Sequence, residues 1–251
     1  MAIADDITDE HGEIGGLVEF CWVDARGRPC RAGAEAAAEV AFEHGGPVRR
    51  FRWDRGQRHF PGLWWAATTG RHVGFESWLE RDHAMLLDFD PEVVGLASQP
   101  FTLRWSGQRS VAHTPDYFAR RADGGAVVVD VRPRDRVPPK DAAKFEATAA
   151  FCAGVPGWSF RLVHEVEAPL AANVRWLSGY RHPRYGRSRL GPVLAEVFAR
   201  GARLLDGAEA AGDPLESLPV VFHLLWTGAL HADVSVPLAD DTLVLAAGGP
   251  R

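Results

Sequence analysis

Residues 113–132 decide the fold that this sequence predicts, and they read HTPDYFARRADGGAVVVDVR. Two strand-like runs, 113–119 and 126–132, flank the turn sequence Asp123-Gly-Gly125, which is typical of a tight connection between antiparallel strands. The stretch therefore predicts a β-hairpin with a short loop.

The register of this hairpin decides which side chains share a face. A three-residue loop at 123–125 suits the Asp-Gly-Gly sequence and would put Asp116 opposite Arg132. Asp130 would then lie opposite Phe118. Because opposed residues and residues two apart point to the same side, Asp116, Asp130 and Arg132 would project from one face. A two-residue turn would separate the two aspartates, so we expect the three-residue loop.

Two carboxylates and a cation are costly to bury on strands otherwise built of valine and aromatic residues. Oxygen ligands at this spacing suit Mg²⁺ or Mn²⁺, which need few carboxylates, keep waters, and activate one water as a nucleophile toward phosphorus. The alternative is structural: Asp116 caps or turns a strand, and Asp130 with Arg132 forms a surface pair at a strand end. The hairpin alone leaves both interpretations open.

The flanking sequence predicts the rest of an α/β (α+β) domain. Apolar residues recur at three- and four-residue steps over 75–89, which predicts a helix. A bent extended segment over 93–105, a helix over about 138–152 and a strand at 158–164 follow. This order predicts a mixed sheet with flanking helices.

Five motifs occur in a fixed order around the hairpin: Glu76-Ser-Trp-Leu-Glu-Arg-Asp-His83, Leu87-Asp-Phe-Asp-Pro91, Ser98-Gln-Pro100, Thr114-Pro-Asp-Tyr-Phe118 and Val129-Asp-Val-Arg-Pro133. Together they resemble the TnsA endonuclease subunit of heteromeric transposases, within the PD-(D/E)xK nuclease superfamily. The resemblance covers about residues 50–185 and implies a restriction-endonuclease-like mixed sheet core.

The resemblance also implies a role for each matching residue. The resemblance implies a Mg²⁺ ion, for which Mn²⁺ would substitute. Its implied ligands are Glu80, Asp116, Asp130 and the Val131 carbonyl. Glu76 competes with Glu80, since it lies one turn away on the same helix stripe. We prefer Glu80 because it aligns with the family's helix glutamate.

Arg132 departs from the family's pattern, which has lysine at this position. Arginine stays charged and cannot act as a base, but it can neutralise the charge that develops on a phosphate in the transition state. The chain's only lysines, Lys140 and Lys144, could supply an ammonium group instead, or both are solvated helix residues. Two further candidates are Gln99 and His113, and the latter could contact the metal water or serve only as a hydrogen-bonding residue.

The net charge of −5 conceals a segregation along the chain. Residues 1–45 contain ten acidic and three basic side chains, and residues 204–251 contain seven acidic and one basic. Residues 46–203 hold 24 basic and 16 acidic side chains, a surplus that suits DNA as a partner, or a solvated basic face. The candidate DNA contacts are Arg49, Arg50, Arg52, Arg55, Arg181 and Arg184.

We expect three regions: an N-terminal elaboration at 1–49, a TnsA-type nuclease domain at 50–185 and an acidic module at 186–251. In the last region two helices and a hairpin predict a small winged-helix-like fold. One of these helices begins at Asp213-Pro-Leu-Glu216, where aspartate is the N-cap and proline the first helical residue. The acidity of the module favours docking of a protein.

Other classes of protein are disfavoured. No apolar run approaches the roughly 18 to 20 residues of a membrane span, and the first ten residues are acidic, so we expect a cytoplasmic protein with no membrane partner. Three cysteines without a C-x-x-C spacing argue against a disulfide framework and a zinc ribbon. No glycine-rich phosphate loop is present, which argues against nucleotide hydrolysis.

The resemblance implies a Mg²⁺-dependent DNA endonuclease that cuts the 5′ ends of a transposon. The implied partners are double-stranded DNA at the transposon ends, a TnsB-type DDE transposase and a TnsC-type AAA+ ATPase, which the C-terminal module would dock. Two alternatives stay open. One is a stand-alone nuclease of restriction or repair type, and the other is a non-catalytic DNA-binding or assembly subunit in which Arg132 marks a decayed site.

Overall fold

The structure is a computed structural model that describes residues 17–49, 51, 60–106, 111–135, 138–187 and 189–248. These residues form a mixed α/β protein with six α-helices, thirteen strands and several sheets. They divide into two compact units, one within 1–84 and 92–165, the other within 85–91 and 166–251. No helix among them is long and apolar enough to cross a membrane.

The first ten strands and the helices α1 and α2 occur between residues 17 and 163. The strands are β1 Leu17–Val23, β2 Pro29–Gly33, β3 Gly62–Ala66, β4 Arg71–Phe75, β5 Val93–Ser98, β6 Phe101–Ser106, β7 Val111–His113, β8 Tyr117–Arg121, β9 Ala126–Val131 and β10 Trp158–Val163. The helices are α1 Trp78–Phe89 and α2 Pro139–Ala153. The strands form the sheets β2-β1-β6-β7, β10-β9-β8-β5 and β3-β4.

The sheet β10-β9-β8-β5 contains the hairpin. All six residues of β9, which reads AVVVDV, are buried, as expected for a strand that is covered on both faces. β9 pairs antiparallel with β8 and parallel with β10. Parallel strands need a crossover connection, and α2 supplies it. The predicted helices and strands around the hairpin are therefore confirmed.

The hairpin loop starts one residue earlier than predicted. The Arg121 amide donates a hydrogen bond to the Gly125 carbonyl over 2.9 Å. Gly124 takes a left-handed φ of 85°, which a three-residue loop needs at its last position. The loop therefore consists of residues 122–124, and the prediction of 123–125 is wrong.

This shift changes which residues face each other. Phe118 lies opposite Val128, so the predicted pairing of Phe118 with Asp130 is wrong. The paired register ends at Tyr117 opposite Val129, and the Asp116 amide also donates to the Val129 carbonyl, over 3.1 Å. Asp116 and Asp130 still lie on the same side of the hairpin, because the Arg132 guanidinium reaches both carboxylates.

The extended segment at 93–105 is divided into β5 and β6, which belong to different sheets. Gln99 lies at the division and has a φ of 46°, in the left-handed region that residues other than glycine rarely adopt. The predicted bend is thus a change of sheet.

Residues 17–49 are part of the first unit's core. The ring of Phe42 lies 4.8–6.0 Å, centroid to centroid, from the rings of Phe20, Trp22, Phe101, Phe118 and Trp158. β1 also lies between β2 and β6 in one sheet. The compact units therefore have no boundary at residue 49, because burial of these rings joins the segment to the sheets.

The second unit contains four helices and a small sheet. Its elements are α3 Ala168–Ser178, α4 Leu190–Val197, β11 Ala202–Arg203, α5 Leu204–Ala211, α6 Pro214–Trp226, β12 Leu230–His231 and β13 Leu243–Ala246, with the strand order β11-β13-β12. The Asp213 carboxylate accepts the Leu215 amide over 2.9 Å, which confirms the predicted start of α6. The unit includes α3 as well as the residues from 186 onward, and Trp176 on α3 packs against Phe222 on α6 at 6.0 Å.

Replacing Phe42 by alanine should destabilise the first unit. Phe42 is only 1% exposed, so the change leaves a cavity, and we expect the free energy of unfolding to fall by about 3–5 kcal/mol. Urea unfolding followed by tryptophan fluorescence measures the loss. Val94→Ala is the control because Val94 is 53% exposed, and its effect should stay below about 0.5 kcal/mol. An equally small effect of Phe42→Ala would contradict the assignment of residues 17–49 to the core.

Candidate functional site

Buried charged groups gather at one end of the β8–β9 hairpin. Asp116 directly precedes β8, Asp130 lies near the end of β9, and Arg132 follows β9. Asp116 is 7% exposed and Asp130 is fully buried. The Arg132 guanidinium donates from Nη1 to Asp116 Oδ2 over 2.9 Å, and its Nη2 lies 3.8 Å from Asp130 Oδ1. The structure thus brings together the three residues that the hairpin pattern singled out.

The backbone fixes Asp116 in place. Its Oδ2 also accepts the Val131 amide over 2.8 Å, and its own amide donates to the Val129 carbonyl over 3.1 Å. Burial, together with the charges of Asp130 and Glu80, raises the pKa of the Asp116 carboxyl to about 7, because the charge of Arg132 only partly offsets them. Three acidic groups in so little water repel each other, and a cation would relieve that repulsion.

Asp130 has one oxygen without a hydrogen-bond donor. The His113 Nε2 atom forms a hydrogen bond to Oδ1 over 3.2 Å and lies 3.1 Å from Oδ2. Oδ2 itself accepts no hydrogen bond from any residue that the structure describes. A fully buried carboxylate oxygen in this state is costly, which favours an additional cation or donor at this point.

The other ring nitrogen of His113 belongs to a short buried chain of hydrogen bonds. Thr148 on α2 donates its single hydroxyl hydrogen to the Lys144 carbonyl over 2.7 Å. The Thr148 oxygen also lies 2.7 Å from His113 Nδ1, so Nδ1 must be the donor in that contact. Nε2 faces Asp130, and because a carboxylate only accepts, both ring nitrogens carry a hydrogen when the two contacts are made together.

Glu80 lies in the first turn of α1, where its carboxylate caps the helix. Its Oε2 accepts the Glu76 amide over 2.7 Å, and the Ser77 hydroxyl donates to Oε1 over 3.0 Å. Burial raises the pKa of Glu80, although these hydrogen bonds and the charge of Arg132 lower it. Glu80 thus belongs to the same electrostatic cluster as Asp116 and Arg132.

Tyr117 joins β8 to the helix that carries Glu80. Its buried hydroxyl lies 3.2 Å from the carbonyl oxygens of both Gly74 and Glu80 and donates its hydrogen to this pair. Burial raises the pKa of this hydroxyl well above 10, so it stays protonated and keeps donating. The link holds the first turn of α1 beside the start of β8.

Glu76, the competitor of Glu80, makes a different contact. Its Oε2 forms an ion pair with Arg49 at 2.7 Å, on a partly exposed part of the surface. The geometry therefore favours Glu80 as the helix carboxylate of the site, and it gives Arg49 a carboxylate partner within the protein.

The remaining sequence candidates are Gln99, Lys140 and Lys144. The Gln99 backbone amide donates to the Asp116 carbonyl over 2.8 Å. Its buried side-chain Oε1 accepts no hydrogen bond from the described residues. The Lys144 ammonium lies 3.4 Å from Asp141, so it has a carboxylate partner on its own helix, and Lys140 is in the first turn of α2.

Of the predicted DNA contacts, Arg50, Arg52 and Arg55 lie outside the described residues. Arg181 and Arg184 belong to the second unit. Arg181 Nη1 donates to the Ser178 carbonyl over 2.6 Å, and the Arg184 guanidinium stacks over the Tyr185 ring at 4.8 Å.

Sequence reasoning missed three residues that hold the site together. Ser77 was readable, since Ser-x-x-Glu before an apolar helix is the signature of a capping box. Thr148 and His164 carried no signal of this kind. The His164 Nδ1 atom lies 2.8 Å from the Arg132 carbonyl, and the Arg132 amide donates to the Val163 carbonyl over 3.0 Å, so β10 fixes the backbone of Arg132.

The donor set fits a hard divalent cation. Asp116, Asp130 and Glu80 supply carboxylate oxygens, the ligands that Mg²⁺ and Mn²⁺ prefer, and Asp130 Oδ2 lacks a partner. Across the described part of the chain, however, no three side chains of His, Cys, Asp or Glu already converge as a metal-binding group. The cluster has suitable chemistry but is not arranged around an ion.

Asp116 should make the stability of the protein depend on pH. Its folded-state pKa of about 7 exceeds its ordinary value of 3.8, so its stabilising contribution is complete below about pH 4 and is lost as the pH rises to about 7. We expect Asp116→Asn to remove this loss from urea unfolding curves recorded across that range. Asp123→Asn is the control, since hydrogen bonding to Gly125 lowers the pKa of exposed Asp123 and it titrates below the range. An unchanged pH dependence in Asp116→Asn would contradict the described environment of Asp116.

His113 should carry a hydrogen on Nδ1. Long-range ¹H–¹⁵N correlation spectra report the protonation of each ring nitrogen, and His113→Gln identifies the signal. We expect a protonated Nδ1 in the wild-type protein and a loss of this preference in Thr148→Val, which removes the acceptor without changing the volume. Thr148→Ser keeps a hydroxyl and should restore it. A wild-type ring protonated only on Nε2 would refute the proposed chain of hydrogen bonds.

The cluster combines buried carboxylates, a fixed guanidinium and an oriented imidazole, which together can hold a cation and contact an anion beside it. No model of a known protein family matches the chain, and a search of curated proteins finds no match.

Proposed function

We propose that this chain is a cytoplasmic, Mg²⁺-dependent DNA endonuclease and the subunit of a heteromeric transposase that cuts the 5′ ends of a transposon. The observation that carries the proposal is the grouping of the buried Asp116 and Asp130 and the half-buried Glu80 with Arg132, where the pKa of Asp116 is raised to about 7. Such an acidic cluster is unfavourable unless it serves to bind a cation.

Each side chain has a part in the proposed hydrolysis. Asp116, Asp130 and Glu80 would hold the metal ion, with the Val131 carbonyl as a backbone ligand. The ion supplies a water of lowered pKa and neutralises charge on the phosphate. Arg132, which keeps its proton, would contact the phosphodiester and stabilise the charge of the transition state. His113 would keep the Asp130 carboxylate oriented. Cleavage would leave 3′-hydroxyl and 5′-phosphate ends.

The order of elements supports a restriction-endonuclease-like core. α1 bears a carboxylate, the β8–β9 hairpin bears two, and α2 leads to the parallel strand β10. This is the arrangement that the five sequence motifs imply for a TnsA-like nuclease. The second unit, with its helices and the three-stranded sheet β11-β13-β12, would be the winged-helix-like module.

The proposed partners follow from the same family resemblance. Double-stranded DNA at the transposon ends would be the substrate, and a TnsB-type DDE transposase would cut and join the other strand. A TnsC-type AAA+ ATPase would dock on the acidic C-terminal residues, since residues 204–251 hold seven acidic and one basic side chain. Charge of one sign steers a partner of the other sign.

One observation favours a second candidate function, a non-catalytic DNA-binding or assembly subunit. The Arg132 guanidinium already pairs with Asp116 at 2.9 Å, and within the described residues no set of three ligands is gathered for an ion. A nuclease that had exchanged its lysine for arginine and lost its metal would have this structure.

Nicking of supercoiled DNA separates the two functions. We expect cutting with Mg²⁺ or Mn²⁺ when the co-encoded transposase and ATPase are present, and no cutting by Asp116→Ala, which lacks a ligand. Arg132→Ala should slow cutting by about 100- to 1000-fold, the typical effect of losing one donor to a developing oxyanion. Asp123→Ala, a change in the exposed hairpin loop, is the control and should cut normally.

Two results would point elsewhere. Cutting by the chain alone at the full rate would favour a stand-alone nuclease of restriction or repair type. An absence of cutting even in the complete assembly, with DNA binding intact, would refute the endonuclease and favour the non-catalytic subunit.

A further inference from the structure

The Arg132 guanidinium lies within 4 Å of one oxygen of each hairpin group that the proposed function assigns to the metal ion. Nη1 donates to the Val131 carbonyl over 2.6 Å and to Asp116 Oδ2 over 2.9 Å. Nη2 lies 3.8 Å from Asp130 Oδ1. The planar guanidinium therefore lies among three oxygens, one from each of the proposed ligands Asp116, Asp130 and Val131.

We infer that Arg132 is the resident cation of this site in the metal-free protein, and that a divalent ion must displace it in order to bind. The inference rests on the proposed function, because it concerns the same carboxylates. It means that Arg132 and the metal ion compete for the same oxygens. A lysine at this position would compete less, because one ammonium group cannot contact all three oxygens.

The electrostatics of the pocket require a cation. Two carboxylates that are 7% and 0% exposed cannot both stay ionised without one, since burial removes the water that would screen them. Arginine satisfies this need permanently because its guanidinium does not lose its proton in proteins. With its several donors in one plane, it can reach oxygens on both strands of the hairpin, whereas an ammonium group is a single point charge.

The ion and the guanidinium cannot share these oxygens. Asp116 Oδ2 accepts hydrogen bonds from both Arg132 and the Val131 amide, at 2.9 and 2.8 Å, so a metal ion at this oxygen would take the place of the guanidinium. The repulsion between the two cations adds to this exclusion.

Arg132 has a path out of the pocket. Its side chain is 32% exposed, in contrast to the carboxylates that it contacts, and its guanidinium lies 5.7 Å from the face of the Phe145 ring on α2. A displaced guanidinium can therefore reach solvent by rotation about the bonds of the Arg132 side chain. There it is free to bind a phosphodiester of DNA, for which its planar set of donors is well suited.

Calorimetric titration of the full chain with Mn²⁺, without DNA, tests the inference. Arg132→Gln removes the positive charge and keeps a polar side chain, so we expect Mn²⁺ to bind at least about tenfold more tightly than in the wild type. Arg121→Gln is the matched control, since Arg121 is 31% exposed and is also ion-paired, but with Asp123 in the hairpin loop. Its affinity for Mn²⁺ should equal that of the wild type.

Two further variants make the result decisive. Asp116→Asn should lose Mn²⁺ binding, which shows that the titration reports this site. If Arg132→Gln has lost the wild-type circular dichroism spectrum, Arg132→Lys takes its place, and we expect a smaller but measurable gain in affinity because one ammonium group cannot contact all three oxygens.

The failure of this inference differs from the failure of the proposed function. Binding by Arg132→Gln that is equal to or weaker than that of the wild type, together with lost binding in Asp116→Asn, overturns the displacement of Arg132 and leaves the metal-dependent nuclease in place. An absence of Mn²⁺ binding from wild type and Arg132→Gln alike overturns the proposed function and this inference with it.

Discussion

The burial of Asp130 on β9 is the constraint on which the rest of the site depends. The strand is covered on both faces, so its one charged side chain has no access to water and must find partners in the protein. His113 and Arg132 supply them, at 3.2 Å and 3.8 Å from Oδ1. Asp116, directly before β8, adds a second buried acid. The pocket thus contains more negative charge than a folded core tolerates without a function or a counter-ion.

The two helices next to the sheet serve this pocket in different ways. α2 covers β7 and β10 and supplies Thr148, whose contact with His113 fixes which ring nitrogen faces Asp130. α1 supplies Glu80, and the Tyr117 hydroxyl holds its first turn by the Glu80 carbonyl at 3.2 Å. Glu80 also accepts hydrogen bonds from its own helix terminus, so the same carboxylate both caps the helix and takes part in the cluster. Loss of either helix contact would disturb the oxygens without any change in the hairpin.

Much of the site could be predicted from the sequence, because a two-residue period decides which side chains of a hairpin share a face. The register was wrong by an even step, since both glycines of Asp-Gly-Gly can take a left-handed φ; in the structure Gly124 does, and Asp123 accepts the Gly125 amide over 2.9 Å. The core role of Phe42 and the contact of Thr148 with His113 could not be predicted, because their partners are distant in sequence. The contacts of Arg132 depend on a flexible side chain, whose conformation the surrounding structure sets. The family resemblance and the nuclease activity stay predictions.

The permanent charge of Arg132 determines which signals can open the pocket. Loss of the guanidinium proton is not one of them, because a guanidinium keeps its proton across the range in which proteins stay folded. Release of Arg132 would need a divalent cation that binds the carboxylates in its place. A phosphodiester that binds the released guanidinium would favour the same change, so cation and phosphodiester would each promote the binding of the other. Under the proposed function, this site would stay closed in the presence of free metal at low concentration and would open when metal and DNA bind together.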